Sequence, residues 1–71
     1  MIHILHYSPT SCGVREDEGP VVRVEMREGR PHVSGLPSDA SPELVAAVAA
    51  ECETVRRRAL VAGALRAWEG K

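Results

Sequence analysis

The chain has 71 residues and a formal net charge of −1, and 44% of its residues are hydrophobic although it contains no phenylalanine. This length allows one small domain with a thin core, because folding buries only about 60% of the surface of so short a chain. The charge gives no bulk attraction to nucleic acid or to an anionic membrane. No apolar run approaches the roughly 18 residues of a membrane-spanning helix, and no signal segment is visible, so we expect a cytoplasmic protein.

The first 40 residues have the features of β structure. Residues 2–7 form a short β-prone run that stops at Ser8-Pro9, because proline removes a donor from the strand ladder. The polar stretch that follows is predicted to be a mobile loop over residues 8–19. Residues 21–34 predict a β-hairpin, since apolar and charged residues alternate before the turn at Glu28-Gly29. Pro31 in the second strand indicates an edge position.

Residues 41–69 predict a helix. Ser41 is the expected N-cap and Pro42 the first helical residue. Apolar residues recur at steps of three and four, and the face continues past Gly63, where the helix either bends or breaks. The sequence therefore predicts a single domain of the α+β class, in which an N-terminal strand and a β-hairpin form a small antiparallel sheet on one long C-terminal helix.

A helix of about 26 residues is nearly 40 Å long. A sheet of two or three strands does not cover that length, so the uncovered part either folds back at Gly63 or meets a second chain. We therefore expect a homodimer. The apolar helical positions expected at its interface are Val48, Cys52, Val55 and Ala59.

Residues 28–37 combine a glycine turn with a proline after the second strand, and the helix opens with Ser41-Pro42-Glu43-Leu44. This pattern resembles the N-terminal docking domains of the TubC type, found on hybrid peptide and polyketide synthetases. The resemblance covers roughly residues 20–62, and it implies a homodimeric module whose hairpin receives a short segment of a partner chain. The chain departs from the family pattern at its start, where residues 2–7 predict a strand instead of a helix.

The sequence gives little sign of catalysis or of metal binding. Ser8, Ser11 and Cys12 lie near His6, but so short a chain leaves little room for a substrate cavity, so we expect no enzyme activity and no cofactor. His3 and His6 point to opposite faces of a strand, which predicts no metal site. Two cysteines 40 positions apart are expected to be reduced thiols, although one long-range disulfide stays open.

The favoured function is a non-catalytic protein–protein interaction module, either a docking adaptor or a small inhibitor of a larger machine. It captures its partner at the hairpin edge by strand addition. The expected partner-binding residues are Arg23, Arg27, Arg30, His32 and Val33.

The alternative function is a small dimeric DNA-binding regulator or antitoxin. It would contact phosphate, or an acidic surface, through three consecutive arginines, Arg56, Arg57 and Arg58. The same cluster also fits a solvated collar, paired with nearby glutamates at helical spacing.

Overall fold

The computed structural model describes the backbone of residues 1–69 and the side chains of residues 1–64. The strands form one antiparallel sheet with neighbours in chain order, and the helix packs across one of its faces. This arrangement confirms the expected α+β class. The elements are β1 (Ile2–Ser8), β2 (Ser11–Glu16), β3 (Val22–Arg27), β4 (Arg30–Ser34) and α1 (Pro42–Glu69).

The main correction concerns β2. The prediction of a loop over residues 8–19 is wrong for Ser11–Glu16, which forms an inner strand of the sheet. Val14 pairs with Ile4 of β1 on one side and with Val22 of β3 on the other. These two ladders, together with burial under α1, stabilise a segment whose composition alone is not typical of a strand.

The core lies between α1 and one face of the sheet. Side chains alternate along each strand, so every second residue of β2 and β3 points toward the helix. Four valines have 1% or less of their surface exposed, and the remaining core residues are nearly as well covered. The core residues are Cys12, Val14, Val22, Val24, Leu44, Val48 and Val55.

The helical stripe expected at a dimer interface faces the chain's own sheet. Val48 and Val55 are core residues, Cys52 packs against that core, and Ala59 is half-buried. A second chain would reach Val48 and Val55 only by displacing the sheet, so the predicted interface is wrong at these two positions. The cause is β2, which supplies Cys12 beneath the helix and was not included among the expected strands.

Ser41 caps α1 as expected. Its hydroxyl oxygen accepts a hydrogen bond from the Leu44 N–H at 3.1 Å, which satisfies one of the free donors in the first turn. The same hydroxyl donates to Glu16 Oε2 at 2.7 Å. The cap therefore also connects the start of the helix to the end of β2.

α1 continues through Gly63 without a break, so the chain does not fold back there. Its 28 residues span about 42 Å, whereas the 7 residues of β1 span about 23 Å. The C-terminal part of the helix thus extends past the sheet, and Leu60 and Val61 are about 60% exposed. Among the described residues, no helix combines the length and hydropathy needed to cross a membrane.

Replacing the cap by Ser41→Ala is expected to lower the free energy of unfolding by about 1 kcal/mol, because the Leu44 N–H loses its acceptor. Urea denaturation measures this change. Ser38→Ala, at an exposed turn position, is the control and is expected to stay within about 0.5 kcal/mol of the wild type. Equal stabilities of the two variants would show that Ser41 does not act as a cap.

Candidate functional site

The sheet face that points away from α1 carries most of the basic side chains of the strands. We call it the open face. Strand alternation places on it the residues whose neighbours point into the core. It consists of His3, Leu5, Tyr7, Ser11, Gly13, Arg15, Arg23, Glu25, Arg27, Arg30, His32 and Ser34.

Positive charge is concentrated on this face, although the net charge of the whole chain is −1. It bears four arginines, and Glu25 is the only carboxylate that the four strands place there. Glu25 lies 3.0 Å from an Nη of Arg27 and is opposite His32 in the ladder. Arg27 is directly opposite Arg30, so two arginine side chains leave the sheet next to each other at the hairpin end of the open face.

A shallow depression of about 590 Å³ lies at this hairpin end. Glu28 and Gly29 both have positive φ angles, 52° and 79°, as the two central residues of a type I′ turn require. This turn holds the flanking strands in register. The depression is lined by Arg27, Glu28, Arg30, Pro31 and His32.

The centre of the open face holds an aromatic–cation pair above a glycine. The Arg23 Cζ atom lies 5.1 Å from the centroid of the Tyr7 ring, within the range of a cation–π contact. A Cβ atom at Gly13 would lie 2.7 Å from Val21 Cγ1 and 2.8 Å from Tyr7 Oη. Only glycine therefore allows Tyr7 and Val21 to approach the backbone of β2 at this point.

Arg15 is a member of the open face that sequence reasoning missed, because it falls in the expected loop. It is paired with His3 in the β1–β2 ladder. Its Nε atom is enclosed and has no hydrogen-bond partner among the described residues. The alternation of Cys12 and Val14 with Gly13 and Arg15 is the signal that could have identified this strand.

The structure places four of the five expected partner-binding residues together. Arg23, Arg27, Arg30 and His32 share the open face, whereas Val33 points to the other side and packs against the core. Val33 is thus not available to a partner on that face.

The outer edge of β4 offers few groups for strand addition. Arg27 and Arg30 flank a two-residue turn and form a hydrogen-bonded pair, so the backbone groups of Pro31 and Val33 point outward. Pro31 has no N–H to donate. The open face is therefore a better candidate for partner capture than the hairpin edge itself.

The arginines of the helix are largely engaged within α1. Arg56 and Arg57 both bind Glu53 Oε1, at 2.6 and 3.1 Å. The hydrogen bond from Arg56 lowers the pKa of Glu53. Arg58 is exposed and makes no ion pair with a described residue. This pairing matches the solvated-collar interpretation of the cluster.

The cysteines are free, and neither is an activated thiol. Cys12 is 2% exposed, and burial, reinforced by Glu51, raises its pKa to about 11. Its thiol donates to Glu51 Oε1 at 3.6 Å. Burial also raises the pKa of Cys52. Within the described part of the chain, no three His, Cys, Asp or Glu side chains are grouped so that they could hold a metal ion.

Comparisons with protein-family models, with curated proteins and with solved structures found no match. The resemblance of the hairpin and helix to TubC-type docking domains stays a prediction. What can be said about function comes from the geometry of the open face.

Gly13→Ala is expected to lower the free energy of unfolding by about 1–2 kcal/mol, because the added Cβ overlaps Val21 Cγ1 and Tyr7 Oη. Adding Val21→Ala should recover part of the loss. Gly63→Ala is the control, since nothing lies within 4 Å of its added Cβ, and in a helix it should raise stability by up to about 1 kcal/mol. Urea denaturation tests both signs, and an undiminished stability of Gly13→Ala would contradict the close approach.

The free energy of unfolding is expected to fall as the pH rises from 9 to about 11. The pKa of the Cys12 thiol is raised in the fold, from 9.0 to about 11, so its stabilisation is complete below pH 9 and is lost toward pH 11. Cys12→Ala should remove a large part of this dependence, and the remainder includes Cys52, whose pKa is also raised by burial. Urea titrations from neutral pH to about pH 11 measure it, and equal pH dependence in wild type and variant would overturn the assignment.

Proposed function

We propose that this chain is a non-catalytic protein–protein interaction module, a docking adaptor or a small inhibitor of a larger machine, whose open face binds an acidic segment of its partner. The observation that carries the proposal is the separation of charge. Four arginines share one sheet face with a single glutamate, in a chain whose net charge is −1. Carboxylates of a partner are the natural acceptors for guanidinium donors.

The geometry of the donors supports an extended acidic segment as the ligand. Arg27 and Arg30 are neighbours at the hairpin end, and Arg23 lies nearer the middle of the face, beside Tyr7. Successive carboxylates along a peptide would meet these groups in turn. The Tyr7 ring, which is 51% exposed, adds apolar contact area next to the cations.

A protein partner fits this face better than nucleic acid does. Glu25 lies within the row of cations and binds Arg27 at 3.0 Å, so it repels carboxylate and phosphate ligands alike and does not separate the two candidates. Sheet faces that bind single-stranded nucleic acid stack bases on several aromatic side chains, and here Tyr7 is the only aromatic residue of the strands.

Nucleic acid remains the second candidate, because Arg23 and Tyr7 form an aromatic–cation pair on an exposed sheet face. That combination occurs in proteins that bind single strands. In this candidate function the nucleic acid binds the open face and not the helical arginines expected from the sequence, since Arg56 and Arg57 are paired with Glu53.

The proposal includes a cytoplasmic location, which the two free thiols support, because disulfides are rare in that compartment. The proposal also includes a homodimeric state, as expected from the sequence. Its interface differs from the one expected on Val48 and Val55, which belong to the core.

Arg30→Glu and Arg23→Glu are each expected to weaken binding of a fluorescein-labelled Glu-rich peptide by roughly tenfold or more, because a charge-assisted contact becomes a repulsion. Arg58→Glu is the matched control. It makes the same change of charge on α1 and should alter the dissociation constant by less than about twofold. Fluorescence anisotropy at low ionic strength measures all three variants.

An equal effect of Arg58→Glu and Arg30→Glu, or no peptide binding by the wild-type chain, would contradict the proposal. Single-stranded oligothymidine of the same length is the comparison ligand. Tighter binding of the oligonucleotide, with an affinity that falls steeply as salt is added, would favour the nucleic-acid function instead.

A further inference from the structure

The two edges of the sheet differ in what their backbones offer. β4, at one edge, has 5 residues and includes Pro31, which interrupts its row of donors. β1, at the other edge, has 7 residues and no proline. An unblocked edge strand is a template for pairing with another strand.

The hydrogen-bond pattern fixes which groups of β1 point outward. The Asp17 N–H donates to the Met1 carbonyl oxygen at 2.8 Å, so the first residue of the chain is bonded toward β2. Because hydrogen-bonded and non-hydrogen-bonded pairs alternate along an antiparallel ladder, the backbone N–H and C=O groups of His3 and Leu5 also bond toward β2. The N–H and C=O groups of Ile2, Ile4 and His6 consequently point away from the sheet. A bulge between His6 and Ser8 ends this regular edge.

Two of the three residues whose backbone groups point outward, Ile2 and Ile4, have apolar side chains that are incompletely covered. Ile2 and Ile4 are half-buried and pack against the margin of the core. α1 contacts β1 less than it contacts the other strands. No acidic or basic residue other than histidine occurs between Ile2 and His6, so the edge has none of the charges that keep exposed strands apart.

We propose that β1 is the self-association site, at which a second copy of this chain adds its own β1 in antiparallel orientation with Ile4 opposite Ile4. The dimer then has one continuous eight-stranded sheet. Ile2 of each copy lies opposite His6 of the other. The free backbone groups of Ile2, Ile4 and His6 in one copy therefore all face free backbone groups of the second copy. Three such pairs form about six hydrogen bonds.

The composition of the edge, which has no Asp, Glu, Lys or Arg among residues 2–6, favours a second copy of the same strand over a charged one. Ile2 and His6 are equally spaced on either side of Ile4, so a two-fold axis at Ile4 matches donors with acceptors without an offset. The half-buried Ile4 of each copy meets Ile4 of the other on the helix side, with Ile2 of each copy diagonal to this pair, and the contact extends the thin core. An acidic peptide, the proposed partner of the open face, finds no arginine among residues 2–6.

The inference rests on the homodimer of the proposed function and supplies its contact. It also joins the open faces of the two copies side by side. Peptide binding by the open face is measured separately, so a failure of that binding and a failure of the β1 contact are distinguishable.

His6→Pro tests the contact at the backbone. The His6 side chain is exposed and its N–H points away from β2, so proline there removes no hydrogen bond inside the chain. His6→Thr is the matched control, since it also removes the imidazole but retains the N–H and the preference for a strand. Circular dichroism checks that both variants keep the fold.

Sedimentation equilibrium from roughly 10 μM to roughly 1 mM measures the association. We expect the wild type and His6→Thr to form dimers, and His6→Pro to raise the dimer dissociation constant roughly tenfold or more. A wild-type chain that stays monomeric over this range would overturn both the homodimer and the β1 contact. A dimer that His6→Pro leaves unchanged would overturn only the β1 contact.

Nuclear magnetic resonance of the wild type provides a test that needs no variant. In a mixture of isotope-labelled and unlabelled chains, the proposed register brings the Hα of His3 next to the Hα of Leu5 of the second copy, because these residues form a non-hydrogen-bonded pair. An intermolecular Overhauser effect between them is expected. The amide hydrogens of Ile4 and His6 should also exchange with solvent more slowly as the protein concentration rises. If the chain forms a dimer in which these two amides are not protected, the dimer contact lies elsewhere.

Discussion

The architecture depends on how a small supply of apolar side chains is used. The core is built mainly from valines and has no phenylalanine, so it is only thick enough to join one helix to one face of a sheet. Val14 and Val22, paired across β2 and β3, lie at its centre. Because the helix covers that face alone, the opposite face stays exposed and carries mainly polar and basic residues, together with Leu5 and Tyr7.

β2 is the element through which these features are connected. Its inward residues, Cys12 and Val14, complete the core, and Glu16 at its end accepts the hydroxyl of the helix cap. On the other side of β2, Gly13 and Arg15 belong to the open face, where Gly13 lies beneath Tyr7 and Arg15 is paired with His3. A change in β2 therefore affects the core, the start of the helix and the candidate site together.

Much of the fold was predictable from local sequence signals. The alternation before Gly29, the turn itself and the Ser41-Pro42 opening of the helix depend on the residues involved and their immediate neighbours. β2 has a weaker local signal, because the alternation of Cys12 and Val14 with Gly13 and Arg15 is offset by the weak strand preference of Ser11, Gly13 and the charged residues after Val14. It is held by pairing with strands on both sides, which is a tertiary effect.

The residues of the candidate site divide in the same way, into those identified by local sequence signals and those that depend on β2. Arg23 and Arg27 were identified from their alternation with core residues, whereas Arg15 was missed together with its strand. The error at Val48 and Val55 has the same origin, since the apolar stripe of the helix had no visible counterpart without β2. A stripe on a helix indicates burial, but the sequence does not say which chain covers it.

The small size of this single domain also has a calorimetric consequence. At about 0.7 kcal/mol per residue, the unfolding enthalpy of a chain this short is only about 50 kcal/mol, and a change of 1 kcal/mol in stability moves its melting temperature by about 4–8 °C. A ligand present at about 100 times its dissociation constant adds about 2.7 kcal/mol. The melting temperature of this small protein is thus a sensitive detector of occupancy, and a thermal-shift screen can find ligands that bind only weakly.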